Sequence, residues 1–381
     1  MREIYLDNAA TTAIHPAVTR AMGMAAREQG NPSAFNDAGR RARKLLDDAR
    51  ASVAAFLHAR SDEVVFCASG SEANTLALRG VVASARLPHA VTTAIEHPSV
   101  LETLRGSPAS VSVVRPDREG RVSADAVIAA IEPNTVIVSV MYANNETGSV
   151  QPIHQISKAI REWRRKRGTS LPYLHVDACQ ASAWLPMDVQ ALGADLFVLN
   201  GAKVHGPRGI AALYVRRGIQ ITPQVSGGNQ ELGRRAGTED VPGAVGFATA
   251  LTLIKQSDSG RVAALRDQFY VQLPTILSDV RINSPQTGPR LPNIISISIA
   301  GASSEELLLA LDQVGIRAGA GSACTAHRVE PSHVLVAMKV PGQYLSGALR
   351  FSLSRDTRKA DIEQLLRVLP RVVNTVRKRR P

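Results

Sequence analysis

Residues 135–141 read TVIVSVM, a run of β-branched and apolar residues without a charge. Such a run is typical of a strand buried on both faces, as in the centre of a parallel sheet. Shorter apolar runs precede it at 63–66, 89–95 and 110–114, and a helical pattern occupies 72–82. Strands that alternate with helices predict an α/β protein with a largely parallel sheet.

The same alternation continues toward the C-terminus, and a long helical stretch divides it. Strands are predicted at 173–176, 195–199, 210–215, 293–299 and 348–353, and helices at 153–167, 241–278, 304–314 and from about 357. The run at 210–215 is predicted to pair antiparallel with the strand before it. We expect a large domain over residues 13–255 and a smaller α+β domain built from 1–12 and 256–381.

Composition places the chain among globular proteins. It has 381 residues, 44% of them apolar, with a mean hydropathy of −0.04. No apolar run approaches the roughly 18 residues of a membrane span. Acidic Glu3 and Asp7 argue against a secretory signal at the start. Three cysteines are too few for a disulfide framework. A cytoplasmic protein without membrane contact or a metal site is therefore predicted.

Positive charge is in excess, with a net charge of +12, and it concentrates at 161–167 and 377–380. We interpret both runs as solvated helix ends, which argues against direct nucleic-acid binding. Lysine is rare, because only eight of the 45 basic residues are lysines.

Polar residues that could bind a ligand or take part in catalysis follow five of the predicted strands. These residues are Gly70–Glu72, His97, Asn144–Gly148, Asp177 with Gln180, and Lys203. Ligands of wound α/β sheets bind at the carboxyl ends of the strands. One such strand end is weak evidence, but five together predict a ligand site at this edge.

Lys203 is the only lysine that follows an apolar strand within a glycine-rich loop. At the carboxyl edge of a sheet a lysine can lose solvation and therefore its proton. It can then act as a nucleophile, as the lysine that anchors pyridoxal phosphate does. Gly70 and Ser71 at a helix start would suit a phosphate, although a plain turn is also common. Asp177 would face a pyridinium nitrogen, or would simply cap a helix.

Motifs along the whole chain resemble one known family. They are YLDNAATT (5–12), GNPSAF (30–35), EHPSV (96–100), NNETG (144–148), HVDACQ (175–180), GAKVHGPRG (201–209), GTED (237–240), GSACT (321–325) and RFSL (350–353). The sequence is similar to the NifS/IscS-type cysteine desulfurases of the class V aminotransferase superfamily. The resemblance implies the aspartate-aminotransferase architecture of fold type I, a three-layer α/β/α large domain with a smaller C-terminal domain, in a homodimer.

The resemblance also implies a role for individual residues. Lys203 would anchor pyridoxal 5′-phosphate, and Asp177 would pair with its ring nitrogen. His97 would stack on the ring and, as a catalytic residue, handle protons on the substrate thiol. The other implied cofactor contacts are Gly70, Ser71, Asn145, Gln180, Asn200 and Thr238, the last reaching a phosphate across the dimer. Arg350, helped by Asn31, would bind the substrate carboxylate. The usual Ser-x-His-Lys motif reads Asn200-Gly201-Ala202-Lys203 here.

Cys324 would be the persulfide-forming cysteine, whereas Cys67 and Cys179 are interpreted as packing residues. The implied reaction converts L-cysteine to L-alanine and passes sulfur to an acceptor, either an iron–sulfur scaffold or a tRNA thiolation enzyme. Two alternatives remain open at this point. One is a selenocysteine lyase or another class V aminotransferase, and the other is an inactive, basic scaffold or RNA-binding protein.

Overall fold

A computed structural model describes residues 3–321 and 331–378. Its strands are β1 (Ile4–Tyr5), β2 (Val64–Cys67), β3 (His89–Thr93), β4 (Ser110–Val114), β5 (Thr135–Ser139), β6 (Tyr173–Asp177), β7 (Leu196–Asn200), β8 (Ala211–Val215), β9 (Val280–Ile282), β10 (Ile294–Ile299), β11 (Ile316–Arg317) and β12 (Ala348–Ser352). Its α-helices are α1 (Pro16–Ala25), α2 (Asp37–Phe56), α3 (Gly70–Val82), α4 (Pro98–Arg105), α5 (Ala124–Ala129), α6 (Ile153–Arg167), α7 (Val189–Leu192), α8 (Val241–Thr252), α9 (Gln256–Ile276), α10 (Ser304–Gln313), α11 (His333–Ala337), α12 (Gly342–Leu345) and α13 (Lys359–Lys378).

A seven-stranded sheet forms the centre of the larger part of the described chain, in the order β2-β8-β7-β6-β5-β3-β4. Strand β8 runs antiparallel to both neighbours, and the remaining pairs are parallel. The carboxyl ends of β2, β3, β5, β6 and β7 therefore meet at one edge of the sheet. The predicted antiparallel partner at 210–215 is confirmed as β8.

Side chains of the central strands alternate between two helical layers, as a strand period of two requires. Along β7, Phe197 and Leu199 pack toward the face covered by α2, α6 and α8, while Leu196 and Val198 pack toward α3 and α4. Both faces are apolar, which is why these strands read as continuous hydrophobic runs. The three-layer α/β/α architecture is the predicted fold class.

A second core lies around the antiparallel sheet β12-β10-β9. It contains Ile295 and Phe351 from that sheet, Phe269 from α9 and Leu365 from α13. Leu6 joins this core, and β1 pairs in parallel with β11. The start of the chain thus packs with its C-terminal part, although the proposed division at residues 12/13 and 255/256 stays a prediction.

Helix α2 is the largest element that the sequence analysis omitted. Its twenty residues bury Ala42, Leu46, Ala49 and Val53 on one face, and Asn36 caps it by accepting a hydrogen bond from the Gly39 amide at 2.9 Å. Helices α1, α4 and α5 were also not predicted. The 3.6-residue spacing and the cap were present in the sequence as signals.

Helix α3 begins at Gly70, two residues before the predicted start at Glu72. Ser69 caps it, since its hydroxyl accepts a hydrogen bond from the Glu72 amide at 3.1 Å. The difference matters for the site because Gly70 and Ser71 become the first two residues of the helix. Within residues 3–321 and 331–378, no helix is both long enough and apolar enough to cross a membrane.

Candidate active site

A cavity of about 240 Å³ lies at the carboxyl edge of the large sheet. Nine of the predicted site residues line it: Gly70, Ser71, His97, Asn145, Asp177, Gln180, Asn200, Lys203 and Arg350. The sequence analysis did not predict the other lining residues, which are Ala9, Ala10, Asn74, Ser99, Met141, Ala143 and Cys179. The parallel strands bring these distant segments together because their carboxyl ends share one edge.

Lys203 ends a short 3-10 helix, Gly201–Lys203, that directly follows β7. Its Nζ donates hydrogen bonds to the carbonyl oxygens of Ala9 at 2.8 Å and Ala10 at 2.5 Å. Burial lowers the pKa of Lys203, and the nearby Arg350 charge lowers it further, while Cys179, Asp7 and Asp177 oppose the shift. The amine therefore loses its proton more readily than an exposed lysine does.

The N-terminus of α3 faces the cavity with Gly70 and Ser71. Their backbone N–H groups have no acceptor among the described residues, as is usual for the first turn of a helix. A Cβ at position 70 would lie 2.9 Å from Cys179 Sγ and 3.2 Å from Asn200 Nδ2. A larger residue would therefore force these side chains to shift, and the turn forms a cradle suited to an anion.

Asp177 is the last residue of β6 and lies buried at the base of the cavity. One carboxylate oxygen accepts a hydrogen bond from Asn74 Nδ2 at 2.8 Å, and the other accepts one from the Cys179 amide at 3.0 Å. Asn74, on α3, also donates to Ser99 Oγ at 2.9 Å. This asparagine fixes the carboxylate against the helix layer, and no sequence motif pointed to it.

His97 caps α4 and lines the cavity. Its Nδ1 accepts a hydrogen bond from the Ser99 amide at 3.1 Å, so a neutral ring carries its proton on Nε2. Burial lowers the pKa of His97, and the Lys203 and His333 charges add to this, while Asp177 opposes it. The ring is thus neutral and fixed in orientation at neutral pH.

A buried acid lies directly before this histidine. Glu96 Oε1 accepts hydrogen bonds from the Thr93 hydroxyl at 2.6 Å and from the Met141 amide at 2.8 Å. Burial raises the pKa of Glu96 to about 8. The carboxyl group is therefore mostly protonated at neutral pH, and it joins the end of β3 to the segment that follows β5.

Arg350, on β12, is 2% exposed and closes the cavity from the side of the small sheet. Its guanidinium donates to Asp7 Oδ1 at 2.7 Å and to the carbonyl oxygens of Asn145 at 3.1 Å and Gly321 at 2.8 Å. The Nε atom is buried without a partner in the described part of the chain. Its charge thus remains close to the cavity, held by three separate segments.

Two of the three amide side chains at the cavity have hydrogen bonds that hold them in place. Gln180 Nε2 donates to the Ala9 carbonyl at 2.9 Å, so this carbonyl accepts from both Gln180 and Lys203. Asn200 Oδ1 accepts from the Ala202 amide at 3.0 Å, which fixes the turn before Lys203. Asn145 is buried beside the cavity.

Two predicted site residues do not line this cavity. Asn31 is exposed, and its Oδ1 accepts a hydrogen bond from the Ser33 amide at 2.8 Å. Thr238 lines a separate cavity of about 100 Å³ with Arg235 and Glu231. Cys324 lies outside the described residues, because the structure describes 3–321 and 331–378.

The two described cysteines differ in their surroundings. Cys67 is buried in the core beside α3, and burial raises the pKa of its thiol. Cys179 packs partly against the same core but also lines the candidate site. Burial and Asp177 raise the pKa of the Cys179 thiol well above its ordinary value. Both thiols are thus poor nucleophiles at neutral pH.

Known proteins are similar to this chain along almost its whole length. Residues 4–365 match the family model described as aminotransferase class-V. A relative from Dictyoglomus turgidum, cysteine desulfurase IscS, is 39% identical over 385 residues, which cover 99% of this chain and 96% of that protein. A solved NifS-like protein superposes with a TM-score of 0.89 at 29% identity, covering 98% of this chain and all of the other. SspA, solved in complex with cysteine, superposes with a TM-score of 0.80 at 30% identity, covering 92% of this chain and 98% of that one.

Proposed function

This chain belongs to the class-V aminotransferase family and, within it, to the cysteine desulfurases, and we propose that its cavity binds pyridoxal 5′-phosphate and L-cysteine. Sulfur would pass from the substrate to Cys324. The observation that carries the proposal is the meeting of Lys203, Asp177, the α3 N-terminus and Arg350 around one cavity. Membership of the family predicts the fold, whereas the proposed activity is argued from the arrangement of these side chains.

The residues present fit the cofactor. Lys203 offers an amine whose pKa is lowered by burial, Asp177 a fixed carboxylate, and Gly70 with Ser71 free N–H groups at the positive end of a helix. When bound, pyridoxal phosphate supplies an aldehyde for the lysine and a ring that stabilises negative charge on the substrate Cα. His97 would lie on the ring face. Asn145, Gln180 and Asn200 would supply hydrogen bonds at its edges.

Lys203 would first hold the cofactor and then act as a base. Its Nζ lies between the backbone carbonyls of Ala9 and Ala10, which orient the amine without adding a charge. Because burial lowers its pKa, the amine is available to take the proton from the substrate Cα. The same nitrogen can return a proton when alanine forms.

Arg350 would bind the substrate carboxylate, with its guanidinium already fixed by Asp7 and by two backbone carbonyls. A guanidinium matches a carboxylate with two parallel hydrogen bonds. Asn31 would assist Arg350, although within the described chain Asn31 is exposed and does not line the cavity. The complex of SspA with cysteine supports L-cysteine as the substrate class.

Cys324 would receive the sulfur. The bond between the substrate Cβ and its sulfur breaks, and a sulfur–sulfur bond to Cys324 forms. Of the two thiol hydrogens, one ends on Cβ of alanine and the other on the terminal sulfur, so the reaction needs no external oxidant or reductant. A thiolate at Cys324 suits this attack, whereas burial raises the pKa of both Cys67 and Cys179.

Cys324→Ser tests this assignment. The variant should still bind the cofactor, because the described cofactor-binding residues lie outside its segment, but alanine release from L-cysteine should stop. Alanine is quantified by chromatography, and mass spectrometry locates persulfide on the protein. Cys67→Ala is the matched control and should keep both signals. Alanine formed by Cys324→Ser at the wild-type rate, or a persulfide on Cys67 or Cys179, would contradict the mechanism.

The protein would act as a homodimer in the cytoplasm and give its sulfur to an acceptor protein, such as an iron–sulfur scaffold or a tRNA thiolation enzyme. Within one copy Thr238 lines a separate cavity and not the main one. The role implied for it by the resemblance would therefore need Thr238 of a second copy to complete the phosphate site. Sedimentation of the cofactor-loaded protein checks this, and an active monomer would remove Thr238 from the site.

A further inference from the structure

The proposed function assigns no role to two residues that line the main cavity, Asn74 on α3 and Ser99 on α4. Both lie between residues that do have a role. Asn74 Nδ2 donates to Asp177 Oδ2 at 2.8 Å and to Ser99 Oγ at 2.9 Å. Ser99 Oγ is in turn 2.8 Å from His97 Nδ1. A continuous row of hydrogen bonds therefore joins the acid assigned to the ring nitrogen to the histidine assigned to the ring face.

The amide of Asn74 can take only one orientation in this row. An ionised carboxylate accepts hydrogen bonds and donates none, so the nitrogen of Asn74 must face Asp177. This nitrogen has two hydrogens, and Asp177 and Ser99 take one each. Asn74 is 1% exposed, and its Oδ1 is buried without a partner in the described part of the chain. The orientation persists although it leaves a buried oxygen unsatisfied, which is costly.

The hydroxyl of Ser99 is oriented by its neighbours on both sides. Its oxygen accepts from Asn74, so its hydrogen is available to another acceptor. His97 Nδ1 already accepts a hydrogen bond from the Ser99 amide at 3.1 Å, so Nδ1 carries no proton that it could donate. The contact between Ser99 Oγ and His97 Nδ1 is therefore a hydrogen bond that the hydroxyl donates. Every donor in the row points outward from Asn74.

Two donors at Nδ1 stabilise the neutral imidazole of His97. A hydrogen bond to the uncharged form of a group disfavours its charged form. A proton could reach Nδ1 only after both hydrogen bonds from Ser99 were broken, so the proton of the neutral ring stays on Nε2. Burial lowers the pKa of His97 further, and so do the charges of Lys203 and His333, while Asp177 opposes the shift.

We propose that Asn74 is a positioning residue: one of its amide hydrogens holds Asp177, and the other, through the Ser99 hydroxyl, holds His97 as a neutral donor at Nε2. The inference rests on the proposed function, which places Asp177 and His97 against the cofactor ring. Two groups with different tasks are thus fixed by the two hydrogens of one amide. Toward a substrate sulfur, His97 in this state offers an N–H group, which stabilises a thiolate.

The pKa of His97, measured by NMR on the full, histidine-labelled chain without cofactor, tests the row. The signal that disappears in His97→Gln identifies the residue. Ser99→Ala removes one donor to Nδ1 and should raise the pKa of His97 by about one pH unit. Ser99→Thr keeps the hydroxyl and should restore the wild-type value. A threonine variant that titrates like Ser99→Ala would show that the hydroxyl is not the contact, and would overturn the proposal.

Asn74→Leu, a replacement of similar size, tests the indirect part of the row. In the described part of the chain the hydrogen bonds of Asn74 reach His97 only through Ser99. Its loss frees the hydroxyl to turn, so the pKa of His97 should rise. In the Ser99→Ala background the same replacement should give no further shift. Thr75→Val is the matched control, because Thr75 and Thr103 form a separate hydrogen bond between α3 and α4 at 3.1 Å.

The control should leave the pKa of His97 unchanged. An effect of Asn74→Leu that persists in the Ser99→Ala background would show that it passes through the charge of Asp177, and would overturn the proposal. An unchanged pKa in both single variants would do the same. Nitrogen-15 NMR checks the wild type, since a proton on Nδ1 of the neutral ring contradicts the donated hydrogen bonds. Absence of alanine from the wild type would instead refute the proposed function, and the titrations would still decide the row.

Discussion

Two walls of the main cavity are built in different ways. The sheet wall, defined by Gly70, Asp177 and Lys203, comes from strand ends and one helix start of the large sheet. The clamp wall consists of Arg350 and its three partners, Asp7, Asn145 and Gly321, which come from separate parts of the chain. The first wall is fixed by local backbone geometry, and the second depends on the docking of the small sheet against the large one. Substitutions in the two walls should therefore have different effects on cofactor binding and on substrate binding.

The largest effect is expected for Lys203→Ala in the sheet wall. No other described lysine lines the cavity, so covalent attachment of the cofactor and alanine formation should both disappear. Borohydride treatment followed by mass spectrometry detects the linkage, and Lys158→Ala on α6 serves as the control. A borohydride-fixed cofactor on the Lys203 variant would show that another lysine is the anchor.

Arg350→Ala should break the clamp wall alone. Loss of a charge-assisted pair costs about 2–4 kcal/mol, so KM for L-cysteine should rise about thirty- to thousand-fold while the cofactor stays bound. Steady-state kinetics and the cofactor content measure the two effects separately. If the cofactor is lost together with the substrate affinity, the walls are not independent.

Gly70→Ala should weaken the sheet wall without removing it. The new Cβ would lie 2.9 Å from Cys179 Sγ, so the cradle must shift and cofactor affinity should fall about tenfold. Adding Cys179→Ala removes the contacting sulfur and should restore part of the affinity, as judged by cofactor titration. A double variant no better than Gly70→Ala would show that Asn200, at 3.2 Å, sets the limit instead.

The smallest expected effect is on the pH dependence of protein stability, through the buried Glu96. The pKa of Glu96 is raised to about 8 from 4.5, so the folded state binds more protons than the unfolded state between these values. Its contribution to stability therefore decreases as pH rises through this window. Glu96→Gln should gain stability relative to the wild type from pH 5 to pH 8, measured by urea unfolding. A constant difference would mean that Glu96 is ionised.

The sheet wall was predictable because its residues follow apolar strands, and a strand end fixes where the next side chain lies. Lys203, Asp177 and Gly70 were found in this way. Asn74 was not, since an asparagine inside a helix gives no signal until the helix packs beside Asp177. Asp7 and Gly321 were likewise hidden as partners of Arg350, because their contacts join segments far apart in the chain.

Prediction was poorest where a local pattern was present but not recognised, as in α2. The roles of Thr238 and Asn31 stay predictions, since Thr238 lines a separate cavity and the described contact of Asn31 is local. The role of Cys324 depends on a segment outside the described residues. The fold thus follows from periodicity, whereas the complete site depends on tertiary contacts.

The pairing of Arg350 with Asp7 joins residues that are 343 positions apart in the chain. Ala9 and Ala10, which hold the Lys203 amine, belong to the same early segment. During synthesis at the ribosome, a growing chain therefore has the lysine long before it has the arginine. Chains released before Arg350 also lack Phe351 and Leu365, so premature termination leaves the second core incomplete as well as the Asp7 carboxylate unpaired with Arg350.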